Sequence, residues 1–240
     1  MKKINDLLDI NNYKIVQDTD YFSFSLDSIL LCNFINLNKE SKILDICSGN
    51  CPIPLILNRR VNGIIYAVEI QKEVYELGKE TIDINNLNDK IKLLNMDAKD
   101  LPNMFETDTF DIITCNPPYF KDSELSKKNS NKVKSIARHE IKINLNDIFK
   151  LSRKLLKNNG SIVLVHRPER LIEIIETMKK NNIEPKRIQF IYPKIDKEAN
   201  TILIEGTKNG KPGLKIMNPV IVHDDDGNYN DDIKCLFKGD

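Results

Sequence analysis

Apolar residues in this chain fall into short β-branched runs that alternate with stretches spaced three and four apart. The runs read as buried strands and the spaced stretches as one-sided helices. From Lys42 onward the predicted order is strand Lys42–Ile46, helix Pro54–Arg60, strand Gly63–Glu69, helix Lys72–Ile84, strand Lys90–Leu94 and strand Phe110–Cys115. A polar segment follows, then helix Leu145–Lys157, which Asn158-Asn159-Gly160 should stop, strand Ser161–His166 and helix Glu169–Asn181. Arg187–Tyr192 and Thr201–Glu205 are separated by too few residues for a parallel crossover, so this last pair is expected to be antiparallel. An earlier helix, Asp27–Leu37, precedes the alternation. Regular β-α alternation predicts a doubly wound, Rossmann-like α/β fold with seven strands, mostly parallel, closed by an antiparallel strand at the C-terminal end.

Three units are expected: residues 1–40 as an N-terminal cap segment, 41–207 as the catalytic domain, and a turn-rich appendage of that domain over 208–240. A length of 240 residues suits one such domain. The net charge of +1 gives no global signal for nucleic acid or membrane, so charge has to be read locally. No apolar stretch is long enough for a membrane span and no leader-like run follows the first residues, which points to the cytoplasm. Five cysteines without a C-x-x-C pair fit reduced thiols better than a disulfide framework.

The chemistry concentrates where strands end. Asn116-Pro117-Pro118-Tyr119 follows directly on Phe110–Cys115. Ligands of open α/β sheets bind at that edge. An amide oxygen on Asn116 and the Pro117 carbonyl are two acceptors for a planar group bearing an NH2, and Tyr119 offers a ring to stack on it. A plain Pro-Pro turn is the simpler alternative. This arrangement resembles the N-P-P-Y motif of S-adenosylmethionine-dependent methyltransferases acting on exocyclic or amide nitrogens.

The loop after the first strand of the alternation, Asp45-Ile46-Cys47-Ser48-Gly49-Asn50-Cys51, is made of small residues and lets backbone approach a ligand. In the resembled class I methyltransferases this loop usually reads D-x-G-x-G-x-G; here only Gly49 keeps its glycine, and Cys47 and Cys51 stand where two others would be. A metal on Cys47 and Cys51 lacks further ligands at suitable spacing, so no metal is expected. Glu69, twenty positions after Gly49, is placed to accept from ribose hydroxyls. Asp97 either caps a turn or, as the resemblance implies, accepts from the cofactor's adenine amine. The chain has no G-x-G-x-x-G and this loop has no lysine to meet a pyrophosphate, which favours S-adenosyl-L-methionine over NAD or ATP. Upstream, Phe22-Ser23-Phe24-Ser25-Leu26-Asp27-Ser28 either caps the first helix through Ser25 or Asp27 or, as the resemblance implies, closes over the cofactor, with Gln17 and Asp27 then near the methionine end or the target base.

On the substrate side, Lys121–Arg138 carries six basic residues against two acidic ones. Lys127, Lys128 and Arg138 are candidates for phosphate contacts, although such a run also suits a solvated loop. Ala137-Arg138-His139-Glu140 sets a histidine beside charges near the site; packing or capping at a helix start is the simpler alternative, and the role of His139 and Glu140 is left open. With F-S-F-S-x-D-S, N-P-P-Y-F, A-R-H-E and the run Glu205–Lys215 together, residues 13 to 230 resemble the bacterial tRNA1(Val) (adenine-N6)-methyltransferase family. The resemblance implies methyl transfer to N6 of the adenosine 3′ to an anticodon, catalysis by Asn116, Pro117 and Tyr119, and cofactor contacts from Asp27, Asp45, Gly49, Glu69, Asp97 and Asn116. Lys211 joins the expected tRNA contacts, the partner is the anticodon stem-loop, and the protein is expected to act as a monomer without a general base. Three rivals share features: an N5-glutamine protein methyltransferase, for which the segment ahead of Asp45 is short; an N6-adenine DNA methyltransferase, for which the chain is small; and an RNA-binding protein whose cofactor loop has degenerated.

Overall fold

The structure, a computed structural model, describes residues 1–7, 12–18, 21, 25–117, 119 and 142–238. Its elements are β1 (Lys2–Asp6), β2 (Lys14–Asp18), α1 (Leu26–Phe34), β3 (Ile43–Ile46), α2 (Pro52–Leu57), β4 (Ile65–Glu69), α3 (Lys72–Ile84), β5 (Ile91–Asn95), β6 (Phe110–Cys115), α4 (Leu145–Leu155), β7 (Leu156–His166), α5 (Leu171–Lys180), β8 (Ile183–Tyr192), β9 (Thr201–Lys208), β10 (Lys215–Ile216), β11 (Val220–Ile221) and α6 (Asp231–Lys238).

The main sheet runs β10-β8-β9-β7-β6-β3-β4-β5, with β11 also on β8. All pairs are parallel except those of β9, which runs against both β7 and β8. The seven expected strands are therefore present with the expected antiparallel member. The sheet nevertheless has nine strands, because β10 and β11 add two residues each to the outer edge of β8. Two-residue strands are too short for an alternating pattern to betray them.

Both faces are covered. Ile43, Ala67, Ile112, Val163 and Val165 join one buried cluster with α1 and α2, whereas Leu44, Ile46, Val68, Ile113, Ile162 and Leu164 join another with α4 and α5. The alternation along each strand sorts the side chains to opposite faces. A doubly wound sheet of this kind leaves its functional residues at the carboxyl ends of the strands.

One predicted boundary fails for a clear reason. Asn158-Asn159-Gly160 does not stop a helix; α4 ends at Leu155 and the three residues lie inside β7. Asn159 adopts φ 64°, and the pairing of β6 with β7 shifts register between Phe110 and Ile112. A Cβ at Gly160 would sit 2.9 Å from the Asp111 carbonyl oxygen. The signal thus marks an irregular strand with close backbone approach.

Besides β10 and β11, the N-terminal hairpin and the C-terminal helix had no sequence expectation. The β1–β2 hairpin lies against α3: the Val16 amide donates to Thr81 Oγ1 (3.0 Å), and Asn85 exchanges hydrogen bonds with the Lys14 backbone. The C-terminal helix α6 buries Ile233 in the same cluster as α1. Among the described residues no helix is long and apolar enough to cross a membrane.

Candidate active site

The loop leaving β3 keeps a glycine-like path without the glycines. Cys47, Gly49 and Cys51 all adopt left-handed φ, at 59°, 59° and 70°. That region favours glycine, so the two cysteines carry a conformation that costs a residue with a Cβ about 1 kcal/mol or more. Contacts hold the path in place. The Ser48 amide donates to the Val68 carbonyl (2.9 Å), and the Asn50 side chain donates to the Val16 carbonyl of β2 (2.7 Å). The hairpin therefore latches the loop. Nothing lies within 4 Å of a Cβ built at Gly49, so backbone there borders open space.

Glu69, the last residue of β4, is buried and accepts from the Gly49 amide through Oε2 (3.0 Å) and from the Gln71 amide through Oε1 (2.9 Å). Burial raises its carboxyl above the ordinary value, against those backbone hydrogen bonds. Asp45 of β3 is wholly buried. Its Oδ1 accepts from the Thr114 hydroxyl (2.6 Å), whereas Oδ2 has no partner. Burial pushes this carboxyl up to about 7, and the Ser48 and Thr114 hydroxyls pull it back. Asp97 follows β5 and accepts from the Lys99 amide (2.9 Å), so it does cap a turn.

These residues fit a zwitterionic nucleoside cofactor. A buried carboxylate oxygen without a partner suits an ammonium group, the open backbone at Gly49 allows close approach, and Glu69 ends the neighbouring strand with a carboxylate for hydroxyls. Among the described residues no cluster of His, Cys, Asp or Glu could hold a metal ion, and Cys47 and Cys51 are free thiols.

At the end of β6, the Tyr119 hydroxyl lies 2.7 Å from Asn116 Oδ1 and 2.9 Å from Asp27 Oδ2. Asn116, Tyr119 and Asp27 are thus brought together, with Asp27 supplied by the first turn of α1. Gln17, by contrast, is engaged on β2 by Asn5 (2.9 Å).

Sequence reasoning gave no role in this site to three residues at the end of β7 and just after it, His166, Arg167 and Arg170. The pairing of Cys115 with Leu164, continued by two residues, sets His166 level with Pro117. The His166 ring is 5.3 Å from that of Tyr119, the Arg167 guanidinium lies 5.0 Å over the Tyr119 ring, and Arg170 Nη1 reaches the Tyr119 carbonyl at 3.5 Å. His166 is wholly buried, its Nδ1 accepts from the Arg167 amide (2.8 Å), and its Nε2 has no partner. Burial and the Arg170 charge lower its pKa to about 3. The available signal was His166-Arg167-Pro168-Glu169-Arg170 at the carboxyl end of a predicted strand.

Lys211 is not brought to this edge. It lies past β9, whose antiparallel course ends beside Leu156 at the start of β7, and its carbonyl accepts from Lys186 (2.9 Å). The reason is the reversal of β9: residues after it emerge at the amino edge of the parallel strands. Lys127, Lys128 and Arg138, like His139 and Glu140, lie outside the described residues.

Solved structures share this architecture. A protein described as a predicted O-methyltransferase from Agrobacterium tumefaciens superposes with a TM-score of 0.71 at 17% identity, over 89% of this chain and 96% of that one. The geranyl diphosphate C-methyltransferase of Streptomyces coelicolor, solved with S-adenosyl-L-homocysteine, gives 0.58 at 13% identity, over 75% and 78%. Among curated sequences, the tRNA1(Val) (adenine(37)-N6)-methyltransferase of Parabacteroides distasonis is 27% identical, over 84% of this chain and 83% of its own length. That of Shewanella woodyi is 25% identical, over 90% of both.

Fold and site define a class I methyltransferase with S-adenosylmethionine as methyl donor. More narrowly, the model of the methyltransferase small domain family matches residues 12–184, and the chain belongs to that family.

Proposed function

We propose that the protein methylates N6 of an adenosine in the anticodon loop of a tRNA, the adenosine 3′ to the anticodon of tRNA-Val. The names of the P. distasonis and S. woodyi relatives support this substrate. One observation in the site carries the reading. The Tyr119 hydroxyl has a single proton, yet two acceptors, Asn116 Oδ1 and Asp27 Oδ2, lie within 2.9 Å of it. An incoming amine with two N–H groups supplies the missing donor.

When bound, S-adenosylmethionine supplies a methyl group on a positively charged sulfur. The N6 lone pair of adenine is delocalised into the ring, which makes the amine a weak nucleophile. Asn116 Oδ1 and the Pro117 carbonyl would each take one N–H, favouring a tetrahedral nitrogen aimed at the methyl. Tyr119 would stack the base, and an anticodon-loop base is already unpaired, so extruding it costs little. Asp45, Gly49, Glu69 and Asp97 would hold the cofactor; Lys127, Lys128 and Arg138 would meet phosphates. In this reading residues 41–207 form the catalytic domain, 1–40 its cap and 208–240 an appendage, and the protein works as a monomer in the cytoplasm, where tRNA is.

The test is incubation with methyl-labelled S-adenosylmethionine and unmodified tRNA-Val transcript, then digestion and mass spectrometry. Labelled N6-methyladenosine, lost when that adenosine is replaced, is the expected result. Absence of label with cofactor binding intact would direct attention to a protein glutamine or another RNA.

A further inference from the structure

We propose that Asp27 accepts, through the Tyr119 hydroxyl, the proton that the target nitrogen loses on methylation. The inference rests on the reading above that the substrate is an amine held at Asn116.

The chemistry requires such an exit. In the transfer the N6 lone pair forms the new N–C bond while the C–S bond breaks and its electron pair stays on sulfur. N6 is left with four bonds, two of them to hydrogen, and a positive charge. Losing one proton restores the neutral amine. Asn116 Oδ1 and the Pro117 carbonyl orient those hydrogens, but a neutral carbonyl is too weak a base to keep one.

The structure provides a better route. The Tyr119 oxygen is 2.7 Å from Asn116 Oδ1, so it lies within reach of whatever Asn116 binds. It is also 2.9 Å from Asp27 Oδ2. Of its two neighbours, the carboxylate takes the phenolic proton more strongly, because charged acceptors make the stronger hydrogen bonds. That leaves a lone pair of the Tyr119 oxygen for the N6 proton. As N6–H transfers to the Tyr119 oxygen, the phenolic proton passes to Asp27 Oδ2. Tyrosine ends as it began, and Asp27 carries the proton. Asp27 is half-buried and returns the proton to water.

Two features support the route. Burial, and then Asp27 itself, raise the Tyr119 pKa well above the ordinary value, so the hydroxyl keeps a proton to pass on rather than resting as phenolate. Arg167 over the Tyr119 ring and Arg170 near its carbonyl hold the side chain from behind. Asp27 is brought here by α1, a helix outside the strand that carries Asn116.

The decisive experiment pairs single-turnover methylation of tRNA with cofactor titration in Asp27→Asn, Asp27→Ala, Tyr119→Phe and the double variant Asp27→Ala/Tyr119→Phe. General-base contributions predict a loss of about a hundredfold in the transfer rate for each single variant. The double variant should be no slower than the slower single, because both interrupt one path. Formate should restore activity to Asp27→Ala and not to the double variant, a rescue that a structural role would not show. Cofactor affinity should stay unchanged in Asp27→Asn. Additive losses, absence of rescue, or a tenfold loss of cofactor affinity in Asp27→Asn would each overturn the relay, the last by making Asp27 a cofactor ligand. A wild-type protein inert toward tRNA would instead overturn the substrate reading and, with it, the relay, whereas an active wild type with any of those three outcomes would overturn the relay alone.

Discussion

Glu69 accepts a 3.0 Å hydrogen bond from the backbone amide of Gly49, twenty residues earlier in the chain. This bond ties the end of β4 to the loop leaving β3, the two places proposed above to hold the cofactor. Its second oxygen serves the Gln71 amide at 2.9 Å. Glu69→Ala would leave two amides without their partner, a loss of about 1–3 kcal/mol for each that stays buried. The expected outcome is a lower urea midpoint together with at least a tenfold loss of S-adenosylmethionine affinity by calorimetry, since about 1.4 kcal/mol is tenfold. A lower midpoint with unchanged affinity would confine Glu69 to shaping the loop.

Asn116 tests the substrate side separately. In Asn116→Ala one amine acceptor disappears while the loop at Gly49 and the Asp45 carboxyl stay as they are. Methyl transfer should fall by about a hundredfold or more, the scale for removing one aligned group. Cofactor affinity should remain nearly intact, and a large loss there would move Asn116 to the cofactor side.

The Lys-rich segment after the N-P-P-Y motif makes a claim about tRNA alone. If Lys127, Lys128, Lys132 and Lys134 neutralise phosphates, replacing all four by Gln should weaken binding and flatten its dependence on salt, by about 0.7 to 0.9 in logarithmic slope for each phosphate no longer neutralised. Filter binding across a salt series reads this directly. An unchanged slope would return the segment to solvent.

The alternation of strands and helices was legible because the central strands are short apolar runs, nearly all of whose residues are buried, as at Ile43–Ile46 and Phe110–Cys115. Asn116 and Glu69 drew attention because they stand where such runs end, and Asp45 because it interrupts one. What could not be read was long-range. Nothing local says that Asp27 reaches Tyr119, 92 residues away, or that Asn50 is latched by Val16 of a hairpin. The charge of Lys211 is visible in the sequence, whereas the reversal of β9 that sets it at the other edge of the sheet is a matter of topology. Cys47 and Cys51 read as departures from a glycine pattern, yet their left-handed φ shows that backbone contacts impose the path without the glycines.

Two buried groups should bend stability with pH in opposite senses. Asp45 is raised to about 7 in the folded protein. Against an ordinary carboxyl near 3.9, the folded state holds the extra proton between the two values. Its contribution is full below the ordinary value and is lost as pH rises toward about 7. His166 is lowered to about 3. Against an ordinary value near 6.5, the unfolded chain holds the extra proton, and stability is lost as pH falls from there toward about 3. Urea midpoints measured from about pH 4 to 7 should therefore fall more steeply with acid in Asp45→Asn and less steeply in His166→Gln than in the wild type. Parallel curves for all three would show that neither group titrates between the folded and unfolded states in that range.

Gly78 of α3 is the point where a helix meets the loop leaving β3. A Cβ there would lie 2.8 Å from Leu93 Cδ2, 3.2 Å from Cys51 Sγ and 3.2 Å from the Gly49 carbonyl oxygen. Leu93 is a flexible side chain, but the Gly49 carbonyl is backbone and is fixed by its neighbours. Gly78→Ala should therefore destabilise by about 1–3 kcal/mol, the range for overpacking. It should also push the loop and weaken cofactor binding, although Gly78 itself need not touch the cofactor. The Cys51 contact offers an internal control. Cys51→Gly removes the thiol and relaxes a left-handed backbone, so in the double variant the loop has room to yield. The two substitutions should be non-additive, with the Gly78→Ala penalty on affinity smaller in the Cys51→Gly background, a coupling expected only between residues in contact. Equal penalties in both backgrounds would place the strain on Leu93 and leave the loop unmoved.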